Sequence, residues 1–243
     1  MVPEPFDASG CFETIRVERS RGVNLKEHLR RLRASLQTVG IGFPAERALL
    51  SRINAEAGRI KEGYVRMAVR RSGEMVVQSG RNHRYSAAQA RKGISLVTAA
   101  ARWPAGEIGL AQVKHSERLA GILARAEARA MPEVLRLGAH GYLTEGTVSN
   151  LFFVKEGTLF TPPVWSGVLD GITRRAVLAA AKRLQVPVRE VPVTRHELFN
   201  AEEAFLTNVL MDLLPVREVD GRRIGDKIPG PITRRLKKEV KRG

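Results

Sequence analysis

The 243-residue sequence predicts an α+β fold, mixed helix and strand, arranged as two subdomains. Three observations lead there. Short apolar runs rich in β-formers recur from Phe12 to Val219, and amphipathic helical stripes interrupt them without a regular strand–helix alternation. A stretch at 101–112, carrying Trp103-Pro104 and two glycines, separates two halves that are each mixed. The expected organisation is therefore a small N-terminal α+β subdomain over 1–100, a connecting loop over 101–112, and a larger C-terminal α/β subdomain over 113–243.

Phe12 to Glu18 alternates as a strand does. Leu25, His28, Leu29, Leu32, Leu36 and Val39 then form a helical stripe that ends near Gly40. Pro44 to Ile60 carries a second stripe (Leu49, Leu50, Ile53, Ala57). Tyr64–Arg70 and Met75–Gln78 flank Ser72-Gly73 as a hairpin, and Ile94–Ala99 is a further strand. After the loop, Ser116 to Ala130 reads as a helix with Leu119, Ile122, Leu123 and Ala126 inward. Strands follow at Val134–Leu137, Leu151–Val154 and Thr158–Phe160, the last stopped by Pro162-Pro163, since proline cannot donate to a ladder. Thr173–Leu184 is a helix, Val188–Val193, Ala204–Thr207 and Leu214–Val219 are strands, and Pro231–Val240 closes as a basic helix.

Lys and Arg number 41 against 25 Asp and Glu, a net charge of +16. Such a charge suits a nucleic acid or small anions equally. No zinc spacing, RNP-like motif or basic zipper accompanies it, so nucleic-acid binding is not the expected role. No apolar run is long enough for a membrane span, and Met1–Asp7 lacks the basic start and apolar core of a signal peptide. Cys11 is the lone cysteine, which excludes an internal disulfide and suits the cytoplasm.

The richest stretch is Gly141-Tyr-Leu-Thr-Glu145-Gly-Thr-Val-Ser149-Asn150-Leu-Phe-Phe-Val154, read as a turn, a polar loop and a buried strand. Gly141 and Gly146 are expected to supply unusual backbone angles. Glu145 places a carboxylate just before the core strand. Upstream stands Lys114; downstream, Leu169-Asp-Gly171-Ile172-Thr173 opens a helix where backbone amides attract phosphate. Taken singly, Lys114 also reads as a surface lysine, Glu145 as a turn carboxylate and Gly171-Ile-Thr as an ordinary helix start. Together, a lysine, a carboxylate and a phosphate-type helix start are the parts a pyridoxal phosphate (PLP) site needs.

In their order, Phe12-Glu-Thr-Ile-Arg16, Glu145-Gly-Thr-Val-Ser-Asn150-Leu-Phe, Thr161-Pro-Pro, Gly167-Val-Leu-Asp-Gly171-Ile-Thr-Arg174 and Ala201–Asn208 resemble the class IV aminotransferases, the fold-type IV group of PLP enzymes. The resemblance implies that fold, PLP as cofactor, an amino acid and a 2-oxo acid as substrates, and a homodimer. It implies that Lys114 forms the internal aldimine and shuttles the proton, and that Glu145 pairs with the pyridine nitrogen. Arg31, Ser149, Asn150, Gly171, Ile172, Thr173, Asn208 and Val209 would hold the cofactor. Phe12, Arg66, Arg81 and His83 would meet the substrate. The resemblance favours transamination. The alternative is a 4-amino-4-deoxychorismate lyase, which Lys114-His-Ser-Glu-Arg-Leu119 also resembles; a non-catalytic basic binding protein on the same fold is a remoter one.

Overall fold

The computed structural model describes residues 10–82, 85–102, 112–115, 126 and 131–241. The chain divides into two compact units, Met1–His83 with Val113–Arg118, and Arg84–Gln112 with Leu119–Gly243. These boundaries differ from the expected 100 and 113, and strand pairing is the reason. The strand Ile94–Arg102 lies in parallel between two strands of the second unit. Residues near 113–115 turn back to the first: the Phe12 amide donates to the Lys114 carbonyl (2.9 Å), and Cys11 bridges His115.

The first unit is a four-stranded antiparallel sheet, ordered β2-β1-β3-β4, with β1 Gly10–Glu18, β2 Arg21–Gly22, β3 Glu62–Arg70 and β4 Met75–Gly80. Helices α1 Leu25–Thr38 and α2 Glu46–Gly58 cover one face. Strand alternation sorts the side chains. Cys11, Ile15, Val17, Val65, Met67 and Val69 pack against Leu32, Leu36, Leu49 and Ile53 of the helices, joined by Val113. Phe12, Thr14, Tyr64 and Arg66 therefore lie on the opposite face.

Glu13 breaks the apolar pattern on the helix side. It is fully buried. Arg31 donates to its two oxygens from Nε (2.7 Å) and Nη2 (2.8 Å), and His28 Nδ1 lies 2.7 Å from the oxygen that meets Nη2. Burial alone would raise the Glu13 carboxyl; Arg31 first and His28 second reverse this and hold it at about 2. Burial pushes the His28 imidazole down, against the pull of Glu13 and with help from the positive fields of Arg31 and Lys114.

The second unit holds a nine-stranded sheet. In sequence its described strands are β5 Ile94–Arg102, β6 Val134–Leu137, β7 Leu143–Gly146, β8 Asn150–Lys155, β9 Thr158–Thr161, β10 Val188–Glu190, β11 Glu203–Asn208, β12 Asp212–Val219 and β13 Arg222–Arg223. The pairing β8-β11-β12-β5-β6-β7 returns to β8 through Glu145 opposite Asn150, so six strands close on themselves. Closure removes exposed edges from those strands. On one face Phe152 stacks on Phe205 (5.2 Å between centroids), and both pack with Val177, Ala180 and Leu236 of two helices, α4 Ile172–Arg183 and α6 Pro231–Val240. On the other face Leu135, Leu143, Leu151, Phe153, Leu206 and Leu214 form the larger core.

Two short helices, α3 Ala87–Lys92 and α5 Arg195–Phe199, were not expected from periodicity, since each spans less than two turns. Both carry a capping box, Ser86 with Gln89 and Thr194 with Glu197, which is the signal that marks them. Of the expected helix Ser116–Ala130 only Ala126 is described; it is helical but exposed, not inward.

Glu203, on β11, caps α6. Its two oxygens accept from the Ile232 amide (2.8 Å) and the Thr233 amide (2.7 Å). A Cβ on Gly230 would stand 2.0 Å from the Glu203 carboxyl carbon, so the contact demands glycine. Glu203→Ala orphans both amides and is expected to cost about 2 kcal/mol, read as a lowered midpoint of urea unfolding; an unchanged midpoint would show that the cap contributes nothing.

The Glu13 cluster sets a pH dependence. A carboxyl held low in the folded state gives stability that is present above its ordinary value of 4.5 and lost as pH falls towards about 2. An imidazole held below 6.5 likewise gives stability that acidification removes. Urea midpoints should therefore fall in two stages on acidification, below 6.5 and again below 4.5, and His28→Asn should erase the first stage. A midpoint flat from about pH 7 to about pH 3 would contradict this reading of the cluster.

Candidate active site

Glu145 lies in strand β7, not in the loop expected from its glycine neighbours; pairing across to Asn150 draws it into the sheet. It is 4 % exposed. Arg136 Nη2 donates to one oxygen (2.5 Å), and the other accepts from Asn150 Nδ2 (3.1 Å) and the Leu169 amide (2.9 Å). Asn150 Nδ2 also donates to the Leu169 carbonyl (2.8 Å). One carboxylate thus joins β6, β7, β8 and the segment entering α4.

The loop Gly146–Ser149 hangs on a second buried carboxylate, Glu133. It accepts from the Thr147 amide (2.8 Å), from the Thr147 hydroxyl and from Ser149 Oγ (3.2 Å). Ser149 therefore holds the loop. Gly146 is not in the left-handed region. It is glycine for space, because a Cβ there would meet Ser149 Oγ at 2.3 Å; Gly141, at φ +81°, is the one needed for its backbone angle. Asn208 ties this loop to the β11–β12 turn: Nδ2 donates to the Val148 carbonyl (3.1 Å), and Oδ1 accepts from the Leu210 and Met211 amides (2.9 and 3.0 Å). Val209 is half-buried in that turn.

Helix α4 begins with Gly171 as its N-cap and no side-chain cap, and Thr173 is its second residue. The first intrahelical bond runs from Arg175 to the Gly171 carbonyl (2.9 Å). The Ile172, Thr173 and Arg174 amides precede it and point out of the helix end, where the dipole is positive. A Cβ on Gly171 would stand 2.1 Å from Asn150 Oδ1, so this turn is pressed against the residue that orients Glu145.

Within the first unit, Lys114 and Phe12 lie together, with Lys114 Nζ 4.8 Å from the Phe12 ring centroid. The Lys114 amide donates to Ser35 Oγ (3.3 Å). Arg66 stands between Phe12 (5.9 Å) and Tyr64 (5.7 Å), so Phe12, Tyr64, Arg66 and Lys114 form one cation–aromatic group. Arg31 is bound to Glu13 as described, whereas Arg30 and Arg33 pair with exposed Glu27 and Glu46. Arg81 is exposed just past β4, and His83, its expected partner in a carboxylate clamp, lies outside the described residues. Sequence reasoning missed Arg136, Glu133 and Glu13. The signal for each was a charged residue at or within a run that must be buried, Val134-Leu-Arg-Leu137 above all.

Among the described residues no group of His, Cys, Asp or Glu is placed to hold a metal ion, and no helix is long and apolar enough to cross a membrane. The family model for class IV amino-transferases matches residues 10–219. A protein of Methanocaldococcus jannaschii with the provisional name branched-chain-amino-acid aminotransferase is 33 % identical over 247 residues, covering 96 % of this chain and 86 % of that protein. The branched-chain amino acid aminotransferase of T.th., solved with pyridoxamine 5'-phosphate, superposes with a TM-score of 0.84 at 29 % identity over 96 % of this chain and 84 % of that one. The 4-amino-4-deoxychorismate lyase of Pseudomonas aeruginosa gives a TM-score of 0.84 at 27 % identity over 96 % and 90 %. With its mixed sheet-and-helix fold and a match over most of its length, this chain belongs to the class IV aminotransferase family.

Proposed function

We propose that the chain binds PLP and transfers an amino group between an amino acid and a 2-oxo acid. The observation that carries the reading is the Glu145 carboxylate, buried and oriented by Arg136, Asn150 and the Leu169 amide. A buried acid so fixed suits a heterocyclic N–H, whose proton a carboxylate accepts. The helix ends support the same reading. At α6 a carboxylate of the protein fills the first-turn amides; at α4 the same kind of amides open beside Asn150 with no capping side chain, which fits a phosphate.

Lys114, Arg31, Glu145, Asn150, Gly171, Ile172, Thr173, Asn208 and Val209 are the residues that would hold the cofactor. PLP supplies, when bound, an electron sink for the charge left as a proton leaves the substrate's amino carbon. Lys114 would carry that proton, its Nζ lying 4.8 Å from the Phe12 ring centroid. Glu145 holds a proton at the ring nitrogen. Arg31 and the α4 amides bind the phosphate. Arg66 would grip a substrate carboxylate with the parallel donors of its guanidinium. Ser149 acts indirectly, by fixing the loop on Glu133. Arg81 and His83 complete the substrate side in this proposal. The cytoplasmic homodimer implied by the family belongs to the same proposal; full activity from a monomer would contradict it.

A second reading, elimination of pyruvate from an aminodeoxychorismate-type substrate, is favoured by one observation: the lyase structure superposes as well as the transaminase one.

Lys114→Ala is expected to lose turnover and the visible band of bound cofactor, and an active variant would refute the assignment. Glu145→Ala should retain cofactor while slowing turnover by about 100-fold or more, the scale of a lost proton-transfer group; an unchanged rate would remove Glu145 from the mechanism.

A further inference from the structure

We propose that the second unit carries a further small-molecule site, built from none of the residues assigned above to cofactor or substrate. Its ligand is a free acidic amino acid, a molecule with one ammonium and two carboxylates. The site is a cleft of about 400 Å³ lined by Lys92, Arg217, Glu218, Arg223, Asp226 and Ile228. That volume lies in the range of small-molecule pockets, roughly 300–1,000 Å³.

The fold brings these charges to one place. Lys92 ends α3, and the next residue, Gly93, packs so closely that a Cβ there would stand 2.8 Å from Ile228 Cγ2 and 3.2 Å from Arg217 Cβ. In the ladder between β12 and β5, Val216 pairs with Ile94 and Glu218 with Ser95, so Arg217 is an extra residue between them. An extra residue breaks the alternation of side chains and re-aims one of them. Arg217 and Glu218, neighbours in sequence, thereby line the same cleft. Arg223 stands opposite Glu218 in the β12–β13 pairing. Both arginines are held by neutral oxygens. Arg217 Nε donates to Ser95 Oγ (3.0 Å), and Arg223 donates from Nε to the Gly225 carbonyl (3.0 Å) and from Nη2 to the Asp226 carbonyl (2.8 Å). Among the described residues Lys92, Arg217, Glu218, Arg223 and Asp226 form no ion pair, whereas Arg30, Arg33, Arg70 and Arg175 each hold an acid. Three cations and two acids without partners of opposite sign therefore share one cleft. A simple anion would satisfy the cations and be repelled by Glu218 and Asp226; a simple amine would do the reverse. A ligand with both signs satisfies both, and the cleft's excess of one positive charge matches an excess of one negative charge on the ligand. The two carboxylates go to Arg217, Arg223 and Lys92, since a guanidinium fork suits a carboxylate, and the ammonium goes to Glu218 and Asp226.

Equilibrium dialysis of the full chain against labelled L-glutamate, glutarate (two carboxylates, no ammonium) and inorganic phosphate tests this. Wild type is compared with Arg66→Ala, which alters the substrate side proposed above, and with Arg217→Met and Glu218→Gln in the cleft. Unfolding midpoints are measured for each. The expected result is L-glutamate bound at a site that Arg66→Ala leaves intact, with affinity lowered about tenfold or more by Arg217→Met and by Glu218→Gln. Glutarate and phosphate are expected to bind about tenfold more weakly than L-glutamate, or weaker still. No bound L-glutamate would overturn the proposal, as would binding that Arg66→Ala abolishes or that neither cleft variant weakens. Glutarate or phosphate bound as tightly as L-glutamate would overturn it too, since the cleft would then take anions whether or not they carry an ammonium. Should a cleft variant not fold, Lys92→Met at the exposed end of α3 takes its place, with the same loss of L-glutamate expected and an unchanged affinity counting against the site. Failure of the PLP reading would show separately, in the spectrum of Lys114→Ala, and would leave these outcomes unaffected.

Discussion

The bond network on the Glu145 carboxylate is the interaction on which the second unit depends. A buried charge needs donors or it destabilises the fold, and the three donors here come from three places in the chain. Arg136 supplies one from β6, Asn150 another from β8, and the Leu169 amide the third from the segment entering α4. The same Glu145–Asn150 pairing closes the ring of six strands. Fold closure and the orienting of this buried acid are thus one event. Removing either Arg136 or Asn150 would disturb both, which is why a residue in the middle of an apolar strand can matter to a site that it does not itself fill.

Four glutamates of this basic chain do such internal work. Glu13, Glu133, Glu145 and Glu203 are each 5 % exposed or less. Glu13 fixes an arginine, Glu133 a loop, Glu145 a strand junction and Glu203 a helix end. With four of its carboxylates inside, the protein presents to solvent a balance even more positive than its net +16. That field suits anionic small molecules such as a phosphorylated cofactor and carboxylate substrates.

Much of the fold was legible because its elements are periodic. The stripe Leu32, Leu36 gave α1, the run from Leu151 gave β8, and Gly230-Pro231 marked the start of α6. What stayed hidden was tertiary. Glycines around Glu145 suggested a loop, but cross-strand pairing to Asn150 makes the segment a strand. β5 belongs with the second unit because it pairs with β12, more than a hundred residues later, as well as with β6, and no local signal records that. Lys114, Glu145 and the α4 start stood out in the sequence by residue type and order. The groups that orient them, Arg136, Glu133 and Glu13, did not, because the meaning of a buried charge lies in its partner, and the partner is visible only in three dimensions.

The central claim is that the chain moves amino groups on a cofactor held at Lys114. The most direct measurement is an anaerobic absorbance titration of the PLP-loaded full chain with single L- and D-amino acids. The account predicts that the visible band of bound cofactor gives way to the spectrum of the amine form with at least one of them, and returns when a 2-oxo acid is added. A band that forms but responds to no amino acid would contradict transamination.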